Sequence, residues 1–245
     1  MLRFFSKMRY QLASENRVVK YLRYAIGEIL LVVIGILIAV QINNWNGYHK
    51  DQKTEHQYLL NFVEDMRSDS SNLAYFTRVY PPKIDALLLA RTNAMHGVEI
   101  KDTLEFITRM GFAGVASKAP IFETQSTYDD IISTGNLRLI RNSDLREQIL
   151  DYYQLGENTE SYLSRLRTDY SNFMNSYAPY DPRGTFKLDR QGMLFALDAI
   201  KTHEFMRLAN AELTFAYAFR QRIDRLTERN RKILDILYSE LNKTP

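Results

Sequence analysis

A run of twelve apolar residues near the N-terminus, Ile29–Val40, limits what this chain of 245 residues can fold into. The wider apolar segment covers residues 24–42, and Glu28 and Gln41 are its only polar side chains. A helix needs about 20 such residues to cross the hydrocarbon core of a bilayer. The run therefore predicts a transmembrane helix over residues 24–44, with the lipid bilayer as its partner.

Charged residues are distributed unevenly around this segment. Six of the basic residues precede it: Arg3, Lys7, Arg9, Arg17, Lys20 and Arg23. Trp45 and Tyr48 follow it, where aromatic residues mark the interface. The positive-inside rule then predicts a cytoplasmic N-terminus, with the rest of the chain on the far side. A cleaved signal peptide is one alternative, but the basic segment before the apolar run is unusually long for it. A buried core helix is another, but cations clustered on one flank argue against it.

The anchor contains two features that favour contact with another helix. Gly35 and Ala39 form a small-xxx-small pair, which permits close helix approach and predicts a homo-oligomer or another protein partner. Glu28 either pairs with a partner or carries a proton inside the membrane, or it reaches the headgroups near Arg23 and Lys20. Residues 1–23 also read as a basic amphipathic segment that lies on the anionic inner leaflet.

Helical spacing continues after the span. Residues 45–57 are predicted to form a polar helical stalk, and residues 58–245 the outer domain. Its first amphipathic helix is expected to end at Pro81-Pro82, because proline removes a backbone donor. A shorter helix is predicted over residues 83–95, and Gly97 is its expected stop.

Later helices carry clearer start and stop signals. Asp102 is expected to cap a helix that ends at Gly111, and a further helix is predicted over residues 122–134. Gly135 follows at the left-handed C-cap position, with Leu137 available for the accompanying apolar contact.

The most regular pattern is a heptad seam over residues 145–177, of the kind found in coiled coils. Gly156 on this seam either permits close helix approach or breaks the helix. Residues 178–192 are expected to form a loop. A second seam predicts a final helix over residues 202–241. Asn230 on it either fixes the register of the seam or is exposed as the seam drifts.

These patterns predict an all-α fold, with a single N-terminal transmembrane helix followed by an antiparallel helical bundle with long heptad-patterned helices. The chain has few glycines and prolines, 10 and 6, which suits helices. Without the N-terminal cations the remaining chain is close to neutral, so nucleic acid is not an expected partner.

No sequence pattern predicts catalysis, a metal site or a cofactor. The chain has no cysteine, which excludes disulfides and thiolate zinc sites. His49 and His56 share a helix face, but no further metal ligands lie nearby in the sequence. Asp129 and Asp130 are adjacent and point to different sides of a helix. We therefore expect no enzymatic activity and no bound cofactor.

The block KYLRYAIGEILLVVIGILIAVQINNWN, residues 20–46, resembles the anchor of a family of uncharacterised single-pass proteins from Bacteroidetes-type bacteria. A second block, TYDDIISTGNLRLIRNSDLREQILDYY at residues 127–153, is similar to another shared segment of that family. The resemblance implies an inner-membrane protein with a periplasmic domain, and it implies no activity. Glu28 and Trp45 belong to the sequence segment that the members of that family share.

Three functions remain compatible with the sequence. The first is a membrane-anchored interaction or scaffold module that contacts a partner through its anchor and helical seams. The second is a small-ligand sensor or an accessory subunit of a membrane complex. The third is an unrecognised cell-envelope hydrolase, which would require a pocket with two carboxylates about 5–10 Å apart.

Overall fold

The computed structural model of the chain describes residues 18–115, 120–122, 125–165, 169–178 and 187–243. The regular elements in these ranges are all helical, which confirms the all-α fold. In chain order they are α1 Val18–His96, α2 Thr103–Phe112, α3 Ser126–Ser133, a 3₁₀ turn Asn136–Leu139, α4 Ser143–Arg165, α5 Tyr170–Tyr177, α6 Arg190–Ala199 and α7 His203–Lys243. Of the predicted amphipathic segment at residues 1–23, residues 1–17 lie outside the described residues.

The chain divides into two compact units, Met1–Glu55 and His56–Pro245. In the first unit, residues 18–55 belong to α1. The most apolar 18-residue window of this helix has a mean hydropathy of 2.6, and none of it is buried. This confirms a long apolar N-terminal helix that can cross a membrane. The exact limits of the span and of the stalk stay predictions.

The second unit contains the hydrophobic core. Its long elements are residues 56–96 of α1, together with α4 and α7. The chain directions of α1 and α7 are opposite, because Ser70 contacts Asn230 whereas Lys83, further along α1, contacts Glu212. Apolar side chains at helical spacing fill the space between them, and the ring of Phe76 lies 5.0 Å from that of Phe219.

The helices α4 and α7 are also antiparallel. Asn142, just before α4, donates a hydrogen bond to Glu240 near the end of α7, and Asp151 pairs with Arg229 further along α4. The short helices α2, α5 and α6 pack against one another, and α5 packs on α7. The described part of the second unit is therefore the helical bundle that the sequence predicts.

One helix continues through Pro81-Pro82, so the predicted helix end at this pair is wrong. Proline inside a helix ordinarily costs about 3 kcal/mol, because a backbone hydrogen bond is lost and the ring clashes. Tyr80 just before the pair and Ile84 just after it are both buried in the same core. Packing on both sides offsets the cost, and α1 continues to His96.

The heptad seam over residues 145–177 does not form one helix, so that part of the prediction is wrong. Helix α4 is described as far as Arg165, and residues 166–168 lie outside the described residues. Asp169 is the non-helical N-cap of α5, which begins at Tyr170. Both Tyr170 and Met174 are nevertheless fully buried. The spacing stays in phase across the interruption, and for that reason periodicity alone does not reveal it.

Gly156 lies inside α4 and is buried against an aromatic ring. A Cβ built on Gly156 would collide with the ring atom Cε2 of Phe122. The helix runs on past this glycine, so the glycine does not break it, and the group that approaches it is a side chain from the segment before α3. Phe122 itself precedes α3, which begins at Ser126 rather than at residue 122.

Several predicted helix ends are confirmed. Gly97 and Gly135 both have positive φ angles, of 72° and 69°. The side chain of Asp102 accepts a hydrogen bond from the backbone N–H of Glu105 at 2.9 Å, although α2 extends one residue past Gly111. Residues 179–186 of the predicted loop at 178–192 lie outside the described residues, and α6 already begins at residue 190.

We expect Gly156→Ala to lower the free energy of unfolding by about 1–3 kcal/mol, since the new methyl group collides with the Phe122 ring. Thermal unfolding of the full-length protein, followed by circular dichroism, measures the change. The matched control is Gly47→Ala, because a Cβ on Gly47 meets no atom within 4 Å. Equal unfolding temperatures for both variants would contradict the close packing.

Candidate functional site

Asn230 lies where α1, α4 and α7 meet, and only 3% of it is exposed. Its Nδ2 donates a hydrogen bond to the backbone oxygen of Met66 at 2.9 Å. Its Oδ1 accepts one from Ser70 Oγ at 2.6 Å, and the hydroxyl of Tyr152 lies 3.5 Å from Nδ2. A buried amide with these partners joins three helices, and a slip between them would leave those groups unpaired.

The network continues from Tyr152 into the core. Its hydroxyl donates to Oδ2 of Asp69 at 2.9 Å, and both residues are fully buried. Burial raises the pKa of Tyr152 well above its usual range, and the charge of Asp69 raises it further. Tyr152 therefore remains a neutral hydrogen-bond donor under physiological conditions.

Neighbouring acidic side chains fasten the short helix α3 to α1. Asp65, one turn before Asp69, accepts a hydrogen bond from the backbone N–H of Thr127 at 3.3 Å. The hydroxyl of Tyr58 donates to Asp130 at 2.7 Å. These contacts give the carboxylates a structural role between elements.

A second buried polar contact lies further along the same helix pair. Lys83 Nζ is 2.6 Å from Oε1 of Glu212, and both side chains are completely buried. The ammonium also donates to the backbone oxygen of Val115 at 2.8 Å and lies 5.2 Å from the centre of the Tyr80 ring. Burial lowers the pKa of Lys83, although the nearby charge of Glu212 opposes this shift.

An open groove of about 400 Å³ lies between α1 and α7. Three apolar side chains line it, Leu73, Ala74 and Leu234, and three hydroxyl groups, Ser70, Thr77 and Thr227. Arg78 and Arg231 are the charged residues of its walls, and Asn230 also lines it. None of the described residues that line this groove is a carboxylate, so they do not provide the acidic pair of a hydrolase.

The structure places the predicted anchor residues along the first unit. Glu28 is half-buried and Ala39 is exposed. A Cβ on Gly35 meets no atom within 4 Å, so space for another helix is present there. Trp45 is 61% exposed and contacts the ring of His49 edge to face at 4.6 Å. The roles assigned to these residues, and a register role for Gly156 and Asn230, stay predictions.

Among the described residues, no group of three or more histidine, aspartate or glutamate side chains is arranged to hold a metal ion. His49 is exposed. Tyr152, Tyr153 and Tyr170 are fully buried, whereas Tyr162 is exposed.

Sequence reasoning missed the buried ion pair, although a signal is present. Glu212 lies on the same helical face as Ala216 and Phe219, which are both buried. The sequence spacing therefore predicts that Glu212 lies on the apolar seam. Lys83 directly follows the two prolines, and the expected helix end there obscures its place on the buried face. Arg78 and Arg231 give no such signal, because arginines on the exposed side of a helix are common.

Removing one partner of the Lys83–Glu212 ion pair should lower the free energy of unfolding far more than removing both. We expect Lys83→Met to lower the free energy of unfolding by about 3–5 kcal/mol, because a buried carboxylate is left uncompensated. Adding Glu212→Leu should recover most of that loss. Chemical unfolding of the full-length protein measures both.

The matched control for this pair is Arg229→Met. The Arg229–Asp151 pair has a comparable distance of 3.0 Å, but its side chains are 38% and 45% exposed. Solvent screening keeps such pairs to roughly 1 kcal/mol or less. A double variant as unstable as Lys83→Met alone would contradict the proposed origin of the cost.

We expect Asn230→Ala to lower the free energy of unfolding by about 1–3 kcal/mol, because its hydrogen-bond partners in the core lose their contacts. Asn210→Ala is the control on the same helix, since Asn210 is exposed. Urea unfolding compares the two variants. If they were equally stable, the Asn230 network would contribute nothing to the fold.

Comparison with known proteins gives a family but no function. Residues 28–194, more than half of the chain, match the model of a family of unknown function, DUF6090. No curated protein and no solved structure matches the chain. The matched region begins at Glu28 in the anchor and includes the whole of α4 and α5, which confirms the resemblance to an uncharacterised family. The chain belongs to the family of unknown function DUF6090.

Proposed function

We propose that this protein is a membrane-anchored helical interaction module without catalytic activity. The observation that carries the proposal is the apolar window of α1, none of which is buried in the protein. Its large apolar side chains, among them Leu31 at 70% exposed, would be unfavourable in water and are favourable in lipid. A helix satisfies its own backbone hydrogen bonds, as a membrane requires.

The cations before the apolar segment support an orientation with the N-terminus in the cytoplasm. In a bacterial inner membrane the second unit is then periplasmic. We infer that the anchor holds this unit at the membrane surface, where it meets a partner. Gly35 and Ala39 favour a second copy of the chain as one such partner, through close packing of two anchors.

The chemistry of the second unit favours binding over catalysis. Asp65, Asp69 and Asp130 are engaged in hydrogen bonds that join helices. The described lining of the groove between α1 and α7 contains neither histidine nor carboxylate, the usual groups for proton transfer. An apolar groove with a few polar groups is instead typical of a recognition surface.

The absence of cysteine makes a clean test of the orientation possible. Ser6→Cys and Ala211→Cys, made in separate proteins, each introduce the single thiol of the chain. In intact spheroplasts, a membrane-impermeant maleimide should label the thiol at position 211 and leave the thiol at position 6 unlabelled until lysis. The reverse pattern would remove both the orientation and the proposed periplasmic role.

Amine-reactive crosslinking in the same spheroplasts, followed by mass spectrometry, tests the interaction. We expect a specific product, either a homodimer or a complex with another protein. If it is a homodimer, Gly35→Ile should reduce its yield severalfold through lost helix packing, whereas Val33→Ile is the control with an already large side chain. A purely monomeric protein would contradict the proposal.

A ligand-sensing accessory subunit is the second candidate function, and one observation favours it. The groove wall includes Ser70 and Asn230, which are hydrogen-bonded to each other and connect onward to Tyr152 of α4. A ligand in the groove would thus touch residues that join three helices.

A further inference from the structure

The groove between α1 and α7 has the dimensions of a small-molecule site. Its volume of about 400 Å³ falls within the range of ligand pockets, roughly 300–1,000 Å³. Leu73, Ala74 and Leu234 provide an apolar lining between the two helices. A ligand that fits them has an apolar body of modest length, so a lipid with two long chains is too large.

The charges of the groove select the sign of the ligand. Arg78 comes from α1 and Arg231 from α7, so each wall contributes one arginine. No acidic side chain is present among the described lining residues to neutralise them locally. Guanidinium groups bind carboxylates through paired hydrogen bonds and do not lose their charge at any physiological pH. The lining is therefore complementary to an anion.

We propose that this groove binds a single-chain amphiphilic carboxylate. The alkyl chain lies on Ala74 and Leu234, above the buried Leu73, and the carboxylate is held by Arg78 and Arg231. The inference rests on the ligand-sensing candidate function and specifies the class of its ligand. Ser70 and Asn230 also line this groove. A bound ligand would therefore contact the hydrogen-bond network that includes Tyr152.

The test uses the full-length protein in lipid nanodiscs with octanoate as the probe. Ala74 is exposed in the groove, and Ala74→Cys supplies the only thiol of the chain. The rate of alkylation by iodoacetamide then reports access to the groove, whatever amount of octanoate enters the lipid. At ten times its dissociation constant, octanoate should slow alkylation of the thiol at position 74 about tenfold.

Three controls make the result specific. The thiol of Ala211→Cys, exposed on α7 and absent from the groove lining, should be alkylated at an unchanged rate. Octan-1-ol, which lacks the charge, and acetate, which lacks the chain, should protect the groove thiol poorly. Combined with Ala74→Cys, Arg78→Gln or Arg231→Gln should weaken protection roughly tenfold, while Arg91→Gln, on an exposed part of α1, should not.

Equal protection by octanoate and octan-1-ol, or no protection at all, would overturn the carboxylate site. Protection of the groove thiol only when a crosslinked partner is present would assign the groove to protein docking and overturn it as well. The outcome is separable from that of the interaction module. Loss of octanoate protection with an intact crosslink removes the ligand site alone, and protection in a purely monomeric protein removes the interaction module alone.

Discussion

The antiparallel pairing of α1 with α7 organises the second unit, and two buried polar contacts join the two helices. Asn230 is hydrogen-bonded to Met66 and Ser70, and Glu212 is paired with Lys83 further along. Apolar side chains between these points tolerate small shifts, because hydrophobic contact has no direction. Polar groups without water do not, so a slip of one residue would leave buried donors and acceptors unpaired.

The same pairing separates structural polar groups from those available to a ligand. The carboxylates of Asp65 and Asp69 are buried, where each accepts a hydrogen bond that holds an element in place. The arginines of the groove, Arg78 and Arg231, are exposed. Their charge is offered to the solvent side of the helix pair, where a small anion can reach them. One helix interface thus has a buried inner side joined by hydrogen bonds and an exposed outer side where the proposed ligand would bind.

Much of the fold follows from local rules in the sequence. The apolar run in α1, the cap at Asp102 and the left-handed glycines Gly97 and Gly135 are each determined by a few neighbouring residues. The last helix is predicted within two residues at either end, because its apolar spacing is long and uninterrupted. Such signals depend on local backbone chemistry and require no knowledge of the remaining chain.

The failures of sequence reasoning have a common cause in tertiary packing. Pro81-Pro82 reads as a helix end, yet the core on both sides keeps α1 continuous. The helix boundary before Tyr170 leaves the heptad spacing unchanged, so the spacing does not predict it. The groove also depends on two helices that are far apart in the chain, so its arginines cannot be paired by inspection of either helix alone.

The proline pair in α1 has a mechanical consequence. Neither Pro81 nor Pro82 carries an N–H, so the carbonyl groups of Thr77 and Arg78 cannot receive the usual hydrogen bonds from the next turn. At this point α1 depends on packing against neighbouring helices more than on its own backbone hydrogen bonds. Thr77 and Arg78 are also wall residues of the groove. The turn of α1 that lacks two backbone hydrogen bonds is therefore also part of the groove wall, where a bound molecule would contact it.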